Sequence, residues 1–504
     1  MSVFQGLLHG FAVAATPANL LAAFIGVVVG TVVGVLPGIG VIGAMALLLP
    51  YTFGLDVRAG LIMLAGIWYG AMYGGSTTSI LINLPGEAAS VVTTLDGYQM
   101  ARKGRAGAAL AVAAIGSFVA GTFGLIGLTL FAPALANAAL AFGPPEFLAV
   151  SVLGFVLLSR LTGGSAIASL LMIFVGMALA TVGMDLMSGI NRFTFGVLQL
   201  STGIELAPLV MGLFGLAEIL AVVSRPYTVE MTRVRWRHLY PSALEMRRSA
   251  KPIARGSVLG FLVGLIPGPA VVMASFASYA IERRLSRHPE EFGRGAIEGV
   301  AGPESANNSA TSGAMIPLLA LGLPFAPATA MLLGGFMIHG VTPGPLLMIQ
   351  HPDVFWGLVA SMYIGNAMLL ILNLPLVPAF ASIIRTPPRI LMPIIMVVSV
   401  VGAYSINNRL FDVWVMLAAG ALGYLLRKAD LPAAPLVIGY VLGPFIEVYA
   451  RQSLLMLYGN PLAIFLRPLA AVFLVVTAVV ALVPAVVRIA RGRAGHGQSL
   501  PHGG

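Results

Sequence analysis

The stretch Gly30-Thr-Val-Val-Gly34-Val-Leu-Pro37-Gly38 returns as Gly260-Phe-Leu-Val-Gly264-Leu-Ile-Pro267-Gly268, with every position displaced by 230 residues (30 to 260, 37 to 267). Both copies lie inside long apolar runs. Proline lacks a backbone donor and glycine admits conformations closed to other residues, so each Pro-Gly predicts a break in a helix. Matching hydrophobic segments interrupted at corresponding places are the pattern of secondary transporters, whose discontinuous helices meet near the bilayer midplane. The expected fold is an all-α polytopic membrane protein of about 10–12 transmembrane segments. Two homologous halves are expected, related as inverted repeats, each carrying broken or re-entrant Pro-Gly helices.

Composition supports this. The 504 residues are 58% hydrophobic and 9% charged, against about 25% charged in a typical soluble domain. No Asp, Glu, Lys or Arg lies between Arg58 and Glu87, Arg105 and Glu146, Arg255 and Glu282, or Glu304 and Asp353. Each run exceeds the roughly 20 residues that span a bilayer core. The absence of cysteine excludes disulfides, thiol nucleophiles and Cys-ligated metals. The net charge of +10 resides in short loops and the tail, which suits anionic lipid at a cytoplasmic face rather than nucleic acid. The N-terminus lacks the basic region and cleavage site of a removable signal peptide, so Val3 to Leu21 reads as one retained interfacial or first membrane segment.

Four regions are expected: a membrane repeat over 1–224, a basic cytoplasmic linker over 225–255, a second repeat over 256–487 and a cytoplasmic tail over 488–504. The linker holds Arg233, Arg235, Arg237, Arg247, Arg248 and Lys251 against Glu230 and Glu245. The loop after the first Pro-Gly segment carries only Asp56 and Arg58, whereas the matching loop carries Arg283, Arg284, Arg287 and Arg294. Matched loops of opposite charge bias are what inverted repeats produce. Basic residues on both sides of Pro267-Gly268 further require a re-entrant hairpin there, with both ends cytoplasmic.

A second pair of irregular segments follows. One reads Gly74-Gly-Ser76-Thr77-Thr78-Ser79, then Asn83-Leu-Pro85-Gly86-Glu87. The other reads Asn307-Asn308-Ser309-Ala-Thr311-Ser312, then Gly322-Leu-Pro324. Pro85 and Pro324 are 239 positions apart, so the second half carries extra residues between its motifs, as a loop expanding over 282–298 would give. Hydroxyls, amides and exposed backbone groups at broken helices can bind an anionic substrate or a coupling cation without a buried Lys or Arg. Substrate-binding candidates are Ser76, Thr77, Thr78, Ser79, Asn83, Asn307, Asn308, Ser309, Thr311 and Ser312, the two clusters being read as counterparts. Helix-break and gating candidates are Gly34, Pro37, Gly38, Pro85, Gly86, Gly264, Pro267, Gly268 and Pro324. Gly30/Gly34 and Gly260/Gly264 also have a packing reading, because small residues let membrane helices approach. Glu87 and Glu304 are candidate cation or proton ligands, with solvated helix ends as the alternative. No catalytic or metal centre is expected. An intramembrane enzyme would need paired acids or clustered histidines, and Asp56, Asp96, Asp185 and Asp353 are scattered.

The motifs Gly34-Val-Leu-Pro37-Gly38-Ile-Gly40, Tyr73-Gly-Gly-Ser-Thr-Thr-Ser79-Ile-Leu-Ile-Asn-Leu-Pro85-Gly86 and Asp96-Gly-Tyr98 resemble the large membrane subunit of tripartite tricarboxylate transporters. So do Gly264-Leu-Ile-Pro267-Gly268, Glu304-Ser-Ala-Asn-Asn-Ser309 and Leu321-Gly-Leu-Pro324. The resemblance implies a permease of the bacterial inner membrane that imports citrate or related carboxylates on an ion gradient. It also implies two partners, a small four-helix membrane subunit and a periplasmic solute-binding protein. No cofactor is implied. Sodium is the expected coupling ion, since neutral oxygen donors outnumber carboxylates, with a proton as the other candidate. A solute channel or a non-catalytic membrane scaffold are the alternative functions.

Overall fold

The computed structural model describes residues 2–36, 40–83, 85–161, 165–185, 188–224, 240–373 and 388–496. The chain opens with α1 (Val3–Ala14), α2 (Pro17–Val35), α3 (Gly40–Thr52), α4 (Val57–Ile82), α5 (Val91–Arg102), α6 (Ala106–Ala139), α7 (Pro144–Leu161) and α8 (Ala166–Ala180). A small antiparallel pairing of β1 (Gly183–Met184) with β2 (Asn191–Arg192) departs from the all-helical expectation. Next, α9 (Leu206–Val210) passes through a π turn (Met211–Leu216) into α10 (Ala217–Ser224). The chain continues as α11 (Ala243–Gly264), α12 (Ala270–Leu285), α13 (Glu298–Leu321), α14 (Pro327–Ile338), α15 (Leu347–Gln350) and α16 (Pro352–Asn373). It closes with α17 (Pro388–Asn407), α18 (Leu410–Lys428), α19 (Ala433–Met456) and α20 (Pro468–His496).

Among the described residues, five helices are long and apolar enough to cross a membrane: α2, α6, α16, α18 and α19. The apolar helices α1, α3, α8 and α14 are shorter. Prolines inside α6 and α13 are tolerated where neighbouring helices enclose the freed carbonyls.

Three boundaries differ from the sequence reading. Val3 to Leu21 is not one segment, because Thr16-Pro17 ends α1 and starts α2, with proline at the first helical position. Of the linker expected over 225–255, residues 225–239 lie outside the described set and 243–255 are helical. There Ser242 and Glu245 form a reciprocal N-cap, and α11 runs on through the expected boundary to Gly264. The tail expected from 488 continues α20 to His496.

Two helix pairs organise the interior. On α2, Gly26, Gly30 and Gly34 face the backbone of Met63, Ile67 and Ala71 on α4. On α11, Gly256, Gly260 and Gly264 face Gly302, Ala306 and Ala310 on α13. In each pair the helices run parallel, and a Cβ at any of these glycines would strike a carbonyl of the partner. The packing reading of these glycines is therefore the observed one. Helix α6 lies along α13, with Gly116 beside Ser305 and Gly124 beside Ser312, while α16 lies along α4, with Gly365 against Tyr69.

The break at Pro267-Gly268 is present: α11 stops at Gly264, α12 starts at Ala270, and Gly268 adopts φ 137°. Its N–H donates to the Phe325 carbonyl at 3.0 Å, so this turn meets the second break, which contains Pro324. Arg255 on α11 pairs with Glu282 on α12, closing the base of a hairpin whose two arms start and end on one side. Pro37 and Gly38 lie outside the described residues; α2 ends at Val35 and α3 begins at Gly40, which has φ 67°.

Candidate functional site

The polar stretch of α4 occupies its last turns. Successive helical residues point about 100° apart, so four in a row cannot share one target. Ser76 alone reaches the second half, donating to Glu304 Oε2 at 2.5 Å. Thr78 and Ser79 each donate to the Gly75 carbonyl at 3.0 Å, a bond within their own helix. Ser79 also donates to Ser90 Oγ at 2.9 Å. Thr77 lines a small cavity with Tyr73, Ser117 and Asn373, with room for about one water. All four hydroxyl residues are buried.

Helix α4 ends because Asn83 takes the left-handed conformation at φ 59°, where it is exposed. Pro85 and Gly86 follow. Gly86 packs against the Gly34 carbonyl, and a Cβ there would lie 2.7 Å from Thr78 Oγ1 and 2.8 Å from Gly75 Cα, so close approach requires glycine. Glu87 then caps the short turn Ala88–Ser90, accepting from Ala89 N–H at 2.8 Å.

On α13 the polar residues sit inside a continuous helix. Glu304 is 1% exposed, which rules out a solvated helix end. Its carboxylate accepts from Ser76 and from Thr93 of α5. Asn307, one turn later, donates through Nδ2 to Glu87 Oε1 at 3.2 Å, while its Oδ1 is buried without a partner. Asn308 Nδ2 donates to Ser117 Oγ on α6 at 2.7 Å and to the Glu304 carbonyl at 3.1 Å. Ser309 ties α13 to α11 by donating to the Ser257 carbonyl at 2.7 Å. Thr311 donates to the Asn307 carbonyl at 3.1 Å, and Ser312 abuts Gly124.

The structure thus brings together Ser76, Glu87, Glu304 and Asn307, and turns Thr78, Ser79, Ser309 and Thr311 to backbone carbonyls. Asn83 stands apart. The sequence reading missed Thr93, Ser90 and Ser117. Ser90 and Thr93 recur at the three-residue spacing of one helix face just beyond Pro85-Gly86, which was the available signal. Ser117 sits alone in an apolar run and gave none.

A second set of polar contacts lies where the basic loops gather. Asp96 on α5 accepts from the N–H groups of Gly295 and Ala296 at 2.7 and 2.8 Å and from Tyr279 at 2.8 Å. Lys103 donates to the Arg294 carbonyl at 2.6 Å, and Arg105 pairs with Glu245. Arg248 bridges Glu298 at 2.7 Å and Glu291 at 2.5 Å. The Arg248 hydrogen bond holds the Glu291 carboxyl below its ordinary range.

Comparison with known proteins agrees with this architecture. The family model described as the tripartite tricarboxylate transporter TctA family matches residues 20–438. An uncharacterized 52.8 kDa protein in the TAR-I ttuC' 3' region of Agrobacterium vitis is 49% identical over 474 residues, 94% of each chain. An uncharacterized protein in the TAR-II ttuC' 3' region of the same organism is 47% identical over 215 residues, 43% of this chain and 89% of that one. No solved structure matches. With helices built for a membrane and a family match over most of its length, this multi-pass chain belongs to the tripartite tricarboxylate transporter TctA family.

Proposed function

We propose that the chain is the permease subunit of an uptake system for tricarboxylates such as citrate, or related carboxylates, in a bacterial inner membrane. In this reading it works with a periplasmic solute-binding protein and a small four-helix membrane subunit, and an ion gradient drives import. The observation that carries the proposal is the meeting of two polar segments beside broken helices, buried at Ser76–Glu304 and half-buried at Asn307–Glu87. A scaffold has no use for such groups, whose burial is costly in a membrane protein. A channel is less favoured, because paired broken segments suit alternating access rather than a fixed pore.

The halves are read as inverted repeats. The contact pairs Gly30–Ile67 and Gly260–Ala306 repeat at the same offsets of 230 and 239 residues (30 to 260, 67 to 306) that relate the sequence motifs. The α11–α12 hairpin opens toward Arg283 and Arg284, whereas the helices flanking 37–39 open toward Asp56 and Arg58. Cysteines replacing Lys251 and Arg287 in this cysteine-free chain should react from the cytoplasm, and one replacing Phe53 from the periplasm. Labelling of Lys251→Cys and Arg287→Cys from opposite sides would overturn the hairpin and the inversion.

Transport is tested with labelled citrate in vesicles containing the chain, its small membrane subunit and the binding protein. Saturable uptake that requires all three and collapses with the ion gradient supports the reading. Non-saturating flux through the chain alone would make it a channel.

A further inference from the structure

We propose that Glu304, Glu87, Ser76, Thr93 and Asn307 form a binding site for a monovalent metal cation, seated across the contact between α4–α5 and α13. The proposal deepens the transport reading, on which it rests for its place in a cycle, but cation binding is testable without any substrate.

The groups converge from neighbouring positions. Glu304 and Asn307 are three residues apart on one face of α13. On α4, Ser76 touches Glu304, and the adjacent Gly75 abuts Glu87: a Cβ at Gly75 would lie 2.7 Å from Glu87 Cγ. Thr93 approaches Glu304 from α5, and Ala89 approaches Glu87 from the preceding turn. Both carboxylates have only neutral hydrogen-bond partners among the described residues. Glu304 is buried and Glu87 half-buried; a buried carboxylate without a positive partner is costly, and either a proton or a metal ion must offset it.

Two observations favour a metal ion. First, all four carboxylate oxygens already face donors: Thr93 and Ser76 at Glu304, Asn307 Nδ2 and Ala89 N–H at Glu87. The Ala89 N–H at Glu87 Oε2 cannot reverse role. A proton on Oε1 would turn the Asn307 amide so that Nδ2 instead of Oδ1 is left without a partner, whereas a cation leaves both amide atoms satisfied. Second, Asn307 Oδ1 is a carbonyl-type oxygen buried at this cluster without a partner. It is an acceptor, and a cation satisfies it. Glu304 is the one fully buried carboxylate of the set, so a single positive charge balances it. Among the described residues no three His, Cys, Asp or Glu side chains converge. The hydroxyls of Ser76 and Thr93 and the Asn307 amide oxygen add neutral oxygen donors of the kind sodium takes.

The test uses the purified full-length chain in detergent at neutral pH and constant ionic strength, with thermal unfolding followed as sodium chloride replaces choline chloride. Sodium should raise the unfolding midpoint saturably, and choline should not. In Glu304→Gln the half-saturating sodium concentration should rise at least about tenfold, as expected when a charged ligand becomes neutral. Thr93→Ala should show a smaller rise and Thr93→Ser should restore the wild-type value, which keeps the test alive if Glu304→Gln misfolds. Ser257→Ala, whose hydroxyl bonds its own helix at Ile253, should titrate like wild type. Equal stabilisation by choline would overturn the site, as would an unchanged sodium response in folded Glu304→Gln and Thr93→Ala. Stabilisation by acid with indifference to sodium would replace the metal by a proton, and tighter stabilisation by calcium or magnesium would refute the monovalent assignment. Variant-sensitive sodium binding in a system that moves no carboxylate would sink the transport reading while leaving the cation site standing.

Discussion

The pairs α2–α4 and α11–α13 share their packing and differ in their chemistry. Gly30 meets Ile67 as Gly260 meets Ala306, and Gly74 meets Thr31 as Gly313 meets Phe261. These contacts align α4 with α13 position by position. On that alignment Glu304, Asn307 and Asn308 correspond to Ala65, Trp68 and Tyr69, while Ser76 to Ser79 correspond to Met315 to Leu318. The two polar clusters are thus not counterparts, which corrects the sequence reading of them. What recurs is the close approach that glycine permits; the polar groups were placed separately in each half. The displacement has a consequence, since Ser76 can reach Glu304 without an equivalent bond on the other side.

The comparison breaks most severely at the shared feature. Gly30→Leu and Gly260→Leu each force a side chain into a partner carbonyl. Overpacking costs about 1–3 kcal/mol where neighbours can move, and backbone against backbone has little such freedom. Both variants should lose most of their folded, monodisperse protein in fluorescence-detected size exclusion. Tolerance at one site alone would show that the halves do not pack alike.

Next in size is the asymmetric feature. Replacing Ser76, Thr77, Thr78 and Ser79 together by alanine should abolish carboxylate uptake at normal expression. The fold should survive, because hydrogen bonds between membrane helices average about 0.6 kcal/mol. Met315→Ala with Leu318→Ala, at the aligned positions, should instead lower thermal stability, since both side chains are fully buried in packing. Normal uptake by the fourfold variant would reduce the hydroxyls to packing groups.

A smaller effect is expected at Asn308, which orients Ser117 and the Glu304 carbonyl rather than meeting either carboxylate. Asn308→Ala should shift the half-saturating cation or substrate concentration of uptake by about tenfold or less, the scale of a single hydrogen bond. Unchanged dependence on both would remove Asn308 from the site.

The smallest effect is at the loop contacts. Glu291 has a carboxyl held below its ordinary range by Arg248. A depressed carboxyl stabilises the fold above its unfolded-state pKa, and that contribution fades as pH falls through the folded-state value. Its side chain is 43% exposed, so solvent screening keeps the contribution to about 1 kcal/mol or less. Thermal midpoints of wild type and Glu291→Gln should differ slightly near neutrality and converge in acid. A gap that widens in acid would reverse the sign of the interaction.

Sequence alone determined the membrane class, the helix breaks at Pro85-Gly86, Pro267-Gly268 and Pro324, and the close-packed glycines, because each depends on local backbone chemistry or on a spacing within one helix. The repeated motif was legible for the same reason, since an offset survives in a linear string. Tertiary structure alone decided which hydroxyls face across the halves and which turn back on their own helix. Helical geometry fixes that Ser76 and Thr78 point apart, but only the packed position of α13 selects Ser76 for Glu304. Thr93 and Ser117 join the site from α5 and α6 through contacts between residues far apart in the chain. The burial of Glu304 was likewise undecided in one dimension. A carboxylate beside an apolar run can lie at a helix end in water or inside the protein, and here the neighbours brought by α4 and α5 enclose it.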